Sequence, residues 1–386
     1  PILLSHAVVE AIPNAKKDGI TGAVVARFEN GEVVRGSERR IDGIDAINIC
    51  TGLVPDNRLL EKGYQVFGRD CLGAGDAERI CFDAADQGLP ELGHIIENSQ
   101  LRYALWQAAS DAGVQLIAGK SPASLSLDAN HATVELEDGS SLQAGLIVGA
   151  DGSASWVRSV AGMAYRRSAY GQQGLVMHVR PERDHARTAW QRFLADGPVA
   201  LLPLADGRCS VVWSCSDPRA EELTSLDAAQ LGRELTEASQ QVLGEIEVTT
   251  PVRGFPLAAA YAREYARERC VLIGDAAHQV HPLAGQGVNL GFRDAEILAD
   301  ELSAQLVARR ADPGELRPLL RYQRRRKGDN LATLATMDLI NRVFSYGEGP
   351  LARVAANGLG LVDRIGPLKR ALAGHALGDA GSPSSG

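Results

Sequence analysis

The alternation of apolar and polar positions divides this chain into strand-rich and helix-rich stretches. AVVARFENGEVV (residues 23 to 34) alternates around Asn30-Gly31, the dipeptide that best supplies the positive backbone angles of a tight hairpin turn. It leads into IDAINIC (44 to 50), an apolar run ended by Thr51-Gly52 and Pro55, which reads as a buried strand. The same grammar returns in HATVELEDGSSLQAGLIVGADG (131 to 152): a strand, an Asp-Gly turn, a strand, and an apolar strand running into a glycine turn. The chain thus contains two similar modules, each with a later strand ending in Gly-Asp, at Gly75-Asp76 and at Gly274-Asp275.

Between the modules, ENSQLRYALWQAASDAG (97 to 113) predicts a core helix with Leu101, Leu105 and Ala108 on one face and Gly113 as its stop. From Tyr170 to Ser214 the runs GLVMHVR, AWQRFL, VALLPL and CSVVWS, punctuated by Pro and Asp-Gly, predict an antiparallel sheet, a candidate substrate platform. Residues 226 to 243, 287 to 309 and 315 to 345 read as helices, and the tail GDAGSPSSG as disordered. RYQRRRK (321 to 327) in the last helix reads as a solvated face in preference to a lipid-binding patch. Trp156, Trp190 and Trp213 read as core.

Composition narrows the function classes. The 386 residues, 45% hydrophobic and 23% charged, suffice for two domains or one large composite domain. A formal net charge of -8 argues against a nonspecific nucleic-acid binder. Six cysteines without C-x-x-C spacing are expected to be reduced and cytosolic. The opening PILLSHAVVEAIPNAKKDG lacks signal-peptide features, and no run reaches the roughly 20 apolar residues that span a bilayer, so any membrane contact is expected to be peripheral.

The chemistry concentrates in CVLIGDAAHQVHPLAGQGVNLGFRD (270 to 294). A β-branched, apolar strand ends at Gly274 and sets Asp275 at its carboxyl end, the usual ligand position in α/β sheets, where a carboxylate can accept hydrogen bonds from hydroxyls. Gly285 and Gly287 let backbone approach a ligand just before a long helix whose first amides can hold an anionic group. In LIVGADGSASWVRSVAG (146 to 162) a second strand runs into Asp151-Gly152 and a short helix bearing Arg158. His278 and His281 suggest a metal pair, but no third ligand is apparent and no metal is expected.

These segments, with FDAADQGLPELGHIIENSQLRYAL, MDLINRVF and GPLKRALAGHALG, make residues 80 to about 378 resemble the class A flavoprotein aromatic hydroxylases, most closely the ubiquinone-biosynthesis hydroxylases of polyprenylated phenols or benzoquinols. The resemblance implies that Asp275, following Gly274, binds the ribityl chain of FAD and that Pro282 lies beside the flavin. It further implies that Gly285, Gln286, Gly287, Val288 and Asn289 contact the isoalloxazine edge, that Asp151, Gly152 and Arg158 serve FAD and reduced nicotinamide, and that Asn98 contacts FAD. The implied reaction hydroxylates an aromatic quinone precursor with NAD(P)H and O2. The implied location is cytoplasmic, with peripheral association with the inner membrane or a quinone-biosynthesis complex. No catalytic acid or base is nominated.

Such an enzyme is expected to open with a strand, a Gly-x-Gly-x-x-Gly turn and a helix for the FAD pyrophosphate, and this sequence shows no such motif. Residues 1 to 79 instead resemble the closing part of a pyridine-nucleotide-linked flavoprotein domain of the old-yellow-enzyme type, through INICTGLVPDNRLL and GYQVFGRDCLGAGDA, where Asp76 would contact FAD. A junction between two flavoproteins is therefore expected near Arg79 to Cys81. The expected fold class is α/β (an α+β composite). A Rossmann-like FAD/NAD(P)-binding domain (80–165 and 255–310) is interrupted by an antiparallel-sheet substrate domain (166–254). C-terminal helices (311–378) and a disordered tail (379–386) follow, and the 1–79 fragment stands in place of an N-terminal βαβ unit. The missing motif keeps two alternatives open, a non-catalytic hydroxylase-like scaffold and a nicotinamide-linked flavin reductase.

Overall fold

The computed structural model describes residues 81–85, 91–280, 287–304 and 312–336 with their side chains, and the backbone alone of further strands and helix ends around them. Its largest element is a nine-stranded sheet in the order Arg79–Asp83, Arg69–Gly73, Thr188–Leu194, Gly197–Pro203, Cys209–Ser216, Tyr165–Pro181, Arg253–Ala262 and His278–Gln279, with Ile246–Val248 added beside Tyr165–Pro181. Successive side chains of a strand point to opposite faces, so each strand serves two cores. Leu175, Met177, Val179, Leu201, Val211 and Trp213 pack on one face against helices α3 (Asp217–Ser225) and α4 (Ala228–Ala238). Leu223, Leu231 and Leu235 of those helices are 0–1% exposed, each worth about 1.5–3 kcal/mol of burial. The other face presents Ala189, Leu202 and Leu204 to Ala84, Leu92 and Ile95.

Local chemistry fixes the helix ends. Asp227 accepts a hydrogen bond from the Gln230 amide at 2.7 Å while the Gln230 side chain accepts one from the Asp227 amide at 3.1 Å, a capping box that starts α4. α3, which the sequence reading did not anticipate, begins with Pro218 in its first turn, where the missing amide hydrogen costs nothing.

A smaller sheet positions the chemistry. Strand Ile147–Gly149 pairs in parallel with Cys270–Leu272, in the register Ile147 to Cys270 and Gly149 to Leu272. The Asp-Gly and Gly-Asp turns therefore leave the same end of adjacent strands. α5 (Gln286–Val307) packs on the Gly-Asp turn, α6 (Leu316–Ser345) packs on the adjoining strand Ala266–Arg267, and α1 (Asn98–Asp111) starts beside α5.

Several expectations are corrected. The buried face of α1 runs through Leu101, with Ala104 packed beside it, while Leu105 is 42% exposed. The basic run in α6 is not a solvated face throughout: Arg326 is 0% exposed, and Arg321 and Arg325 both donate to Glu301, at 2.7 and 3.0 Å. Cys209, Cys215 and Cys270 are free and buried, as expected, but Cys81 is disulfide-bonded, and the strand register sets residue 71 directly opposite it. Trp213 is buried in the sheet core, and Trp190 and Trp156 pack against buried clusters, as expected. Strand Arg69–Gly73 pairs with both Arg79–Asp83 and Thr188–Leu194, so backbone on both sides of residue 79 enters the large sheet. The segment beyond residue 345, including the tail, lies outside the described residues. Among the described residues no helix is long and apolar enough to cross a membrane.

Gly149 sits where the two parallel strands and helix α2 (Trp156–Val160) meet, and a Cβ there would lie 2.7 Å from Leu272 Cδ2 and 3.0 Å from Val157 Cβ. Gly149→Ala is expected to lower stability by about 1–3 kcal/mol, read as a shift in the urea midpoint at unchanged slope.

Candidate functional site

Asp151 accepts hydrogen bonds from the Ser155 hydroxyl at 2.5 Å and the Val157 amide at 3.0 Å, which anchors the start of α2. Gly152 beside it has φ +79°, a conformation that favours glycine. Arg158 is buried and donates to the Ala276 carbonyl at 2.9 Å and the Ser153 carbonyl at 2.8 Å, while its guanidinium stacks 3.6 Å from the centroid of Tyr165. One side chain thus ties the Asp-Gly turn to the Gly-Asp turn and to the large sheet.

At the second turn Gly274 has φ +57°, and a Cβ there would lie 3.8 Å from Gly291 Cα, so two glycines let α5 pass close behind the turn. Asp275 is solvent-exposed, yet the protein packed around it raises its carboxyl above the ordinary value, an effect His278 partly offsets. Exposure combined with desolvation describes a group on the wall of an open recess.

Gly287 and Val288 lie half-buried and Asn289 buried in the first turns of α5, which carry no acidic side chain that would oppose an anionic group. Gln286 opens that helix and is described as backbone alone; Pro282, Gly285 and His281 lie outside the described residues. Asn98 is the first residue of α1, and Ile96 and Leu101 pack with Val288 and Phe292, which brings the starts of α1 and α5 together. Positive-φ glycine, an exposed carboxylate and an unopposed helix start fit the ring and ribityl portion of a flavin.

The turn is held from behind by residues the sequence reading did not single out. Asp294 of α5 is 0% exposed and accepts hydrogen bonds from the Gly274 amide at 2.9 Å, His278 Nε2 at 2.6 Å, Arg326 Nε at 2.7 Å and Asn330 Nδ2 at 3.4 Å. Arg326 also donates to Asn330 Oδ1 at 2.7 Å, and the Tyr322 hydroxyl donates to the Leu272 carbonyl at 2.9 Å. His278 thereby has a partner that is not a metal, and no metal-ligating cluster occurs among the described residues. Asp294 lay within the glycine-rich segment and Arg326 within the basic run, but nothing in the sequence joined them.

A family model described as an FAD binding domain matches residues 56–328. The chain is similar to the 3-demethoxyubiquinol 3-hydroxylase of Escherichia coli, 39% identical over 308 residues that cover 78% of this chain and 77% of that protein. It is also similar to the mitochondrial ubiquinone biosynthesis monooxygenase COQ6 of Caenorhabditis elegans, at 32% identity over 89% of this chain and 83% of that one. The crystal structure of Pseudomonas aeruginosa PqsL in complex with 2-aminobenzoylacetate superposes with a TM-score of 0.65, covering 78% of this chain and 86% of that one at 23% identity, and so shares the fold. That fold is the mixed α/β fold of the class A flavin monooxygenases. The junction expected near Arg79 to Cys81 is not supported: the family match begins at residue 56, and a similarity covering 89% of the chain cannot start as late as residue 80.

Burial alone would raise the Asp294 carboxyl, but its hydrogen bonds and charge interactions with His278 and Arg326 hold it below the ordinary value. A depressed folded-state pKa contributes stability that is present above the unfolded value of about 3.9 and lost as pH falls through the folded one. Asp294→Asn, which leaves the buried Arg326 with only the exposed Asp329 as counter-charge, is expected to cost about 3–5 kcal/mol at neutral pH. It is also expected to flatten the stability loss below about pH 4, both measured by urea unfolding across pH.

Proposed function

The chain belongs to the family of FAD-dependent hydroxylases of ubiquinone biosynthesis, and from that premise we propose that it hydroxylates the electron-rich ring of a polyprenylated phenol or benzoquinol, with NAD(P)H and O2 as co-substrates. The observation that carries this reading is the convergence of the Gly274-Asp275 turn with the starts of α1 and α5, opposite the apolar inner face of the large sheet. FAD, when bound, supplies the exchange of electrons with nicotinamide and the activation of oxygen. The protein supplies position. Asp275 accepts hydrogen bonds from the ribityl hydroxyls, and Gly274, Gly287, Val288, Asn289 and Asn98 surround the cofactor; the resemblance in sequence assigns Pro282, Gly285 and Gln286 to the same site. Asp151, Gly152 and Arg158 hold the neighbouring turn in place. Ile95, Leu202 and Leu204 pack together as a buried apolar layer beside the site, which keeps water from that side of the reacting ring, where a hydroxylation dominated by orientation gains its rate. A polyprenyl chain makes the substrate lipid-borne, so the protein works in the cytoplasm as a peripheral partner of the inner membrane or of a quinone-biosynthesis complex.

Purified protein is expected to show flavin absorbance with stoichiometric FAD, and colourless protein that cannot be reconstituted would overturn the assignment. Asp275→Ala is expected to weaken FAD binding roughly 10- to 150-fold, the worth of one hydrogen bond to a charged group at about 1.5–3 kcal/mol. Unchanged affinity would remove Asp275 from the site. With isotope-labelled O2, label is expected in a hydroxylated prenylphenol; rapid NAD(P)H oxidation with no label in any phenol tested would favour the reductase reading instead.

A further inference from the structure

On the inner face of the large sheet, Leu202 stands opposite Ser210 and Ser210 opposite His178 in the strand register, so these three side chains form one row across three strands. Leu202 belongs to the apolar cluster that contains Ile95, which fixes this row on the face turned toward strand Gly93–Glu97. Alternation along that strand puts Glu97 on the same side as Ile95. His178 and Ser210 are both 0% exposed, yet neither ring nitrogen of His178 nor the Ser210 hydroxyl has a hydrogen-bond partner. Buried polar atoms are almost always satisfied, so an unpartnered pair opposite one another asks for an occupant. Burial, with Arg208 acting in the same direction, lowers the His178 imidazole to about 3, which leaves it neutral with one donor and one acceptor nitrogen. Burial raises Glu97 to about 7, with Asp206 adding and Arg208 opposing. The same hairpin pair, Asp206 and Arg208, acts on both groups.

We infer that His178 and Ser210, with Glu97 on the facing strand, form a hydrogen-bonding row that grips an uncharged oxygen substituent on the ring of the substrate. The inference rests on the hydroxylase reading for the identity of the ligand, and it adds positioning residues that orient the ring against the apolar wall of Ile95 and Leu202. The cation whose charge reaches the row, Arg208, is taken up by Asp206 at 2.6 Å, so the row matches a hydroxyl, methoxyl or carbonyl oxygen better than a carboxylate or phosphate, which demands a cationic partner of its own.

Calorimetric titration of the FAD-loaded protein with 2-prenylphenol and with prenylbenzene tests this, since the two probes differ only in the ring oxygen. Wild-type protein is expected to prefer the phenol about 10-fold. His178→Leu is expected to reduce that preference by about 3- to 10-fold through the phenol arm alone, with His178→Gln restoring most of it. Flavin content reports whether each variant folds; where His178→Leu does not, Ser210→Ala carries the same reading. A wild-type protein that binds both probes equally, or a preference indifferent to both His178→Leu and Ser210→Ala, overturns the inference and leaves the row a structural feature of the sheet. Turnover on the same samples separates the two readings. A His178-dependent preference without hydroxylation supports this inference and counts against the hydroxylase, whereas hydroxylation with an indifferent preference does the reverse.

Discussion

Asp294 is the constraint on which the surroundings of the Gly-Asp turn depend. A carboxylate wholly removed from water is tolerated only when its lone pairs are matched, and here the partners of Asp294 in α5 come from two other stretches: Gly274 and His278 at the turn, and Arg326 with Asn330 in α6. None of these partners can be omitted without leaving a charge or a donor stranded. The turn and the two helices therefore arrive at one geometry together, and Asp275 inherits its position from a network on the far side of the backbone. The close approach of Gly274 to Gly291 is the steric counterpart of the same constraint.

Arg158 performs a parallel task in front. Its guanidinium joins Ser153 and Ala276 and lies on Tyr165, the first residue of the longest strand of the large sheet. The Asp-Gly turn, the Gly-Asp turn and the large sheet are consequently joined by one guanidinium, through two side-chain to backbone bonds and one ring contact. Val280 and Leu290 add an apolar contact with Leu334, joining the segment after the turn to α6.

Much of this architecture was legible in the sequence because it is written in local grammar. The glycine turns, the β-rich stretch between residues 170 and 214 and the long helices beginning near 286 and 316 all follow from period and punctuation. What escaped depends on phase or on distance. A helix turns about 100° per residue, so choosing Leu105 over Ala104 for the buried face of α1 misdirects the stripe. The run RYQRRRK has one sign of charge but no face until that rotation is applied; then Arg326 points inward, Arg321 and Arg325 share Glu301, and only part remains for solvent. Helix α3 is short and begins with Pro218 in its first turn, a residue that breaks helices elsewhere, so its local pattern does not read as a helix. Arg326 and Asp294 meet across 32 positions, and no local pattern encodes that pairing. Residues 1 to 79 resisted for another reason: their local patterns resemble more than one flavoprotein, and the continuity of family similarity across residues 79 to 81 came from comparison.

Strand Gly93–Glu97 carries a consequence of its own. Ile96 packs with Leu101, Val288 and Phe292 beside the helix starts, while Ile95 faces the sheet with Leu202 and Leu204. Five residues thus form a partition whose two sides are written in alternate letters. Substitutions at one parity repack the cluster on one side and leave the other untouched, so selection can tune the packing against the sheet without disturbing the helix starts behind the partition.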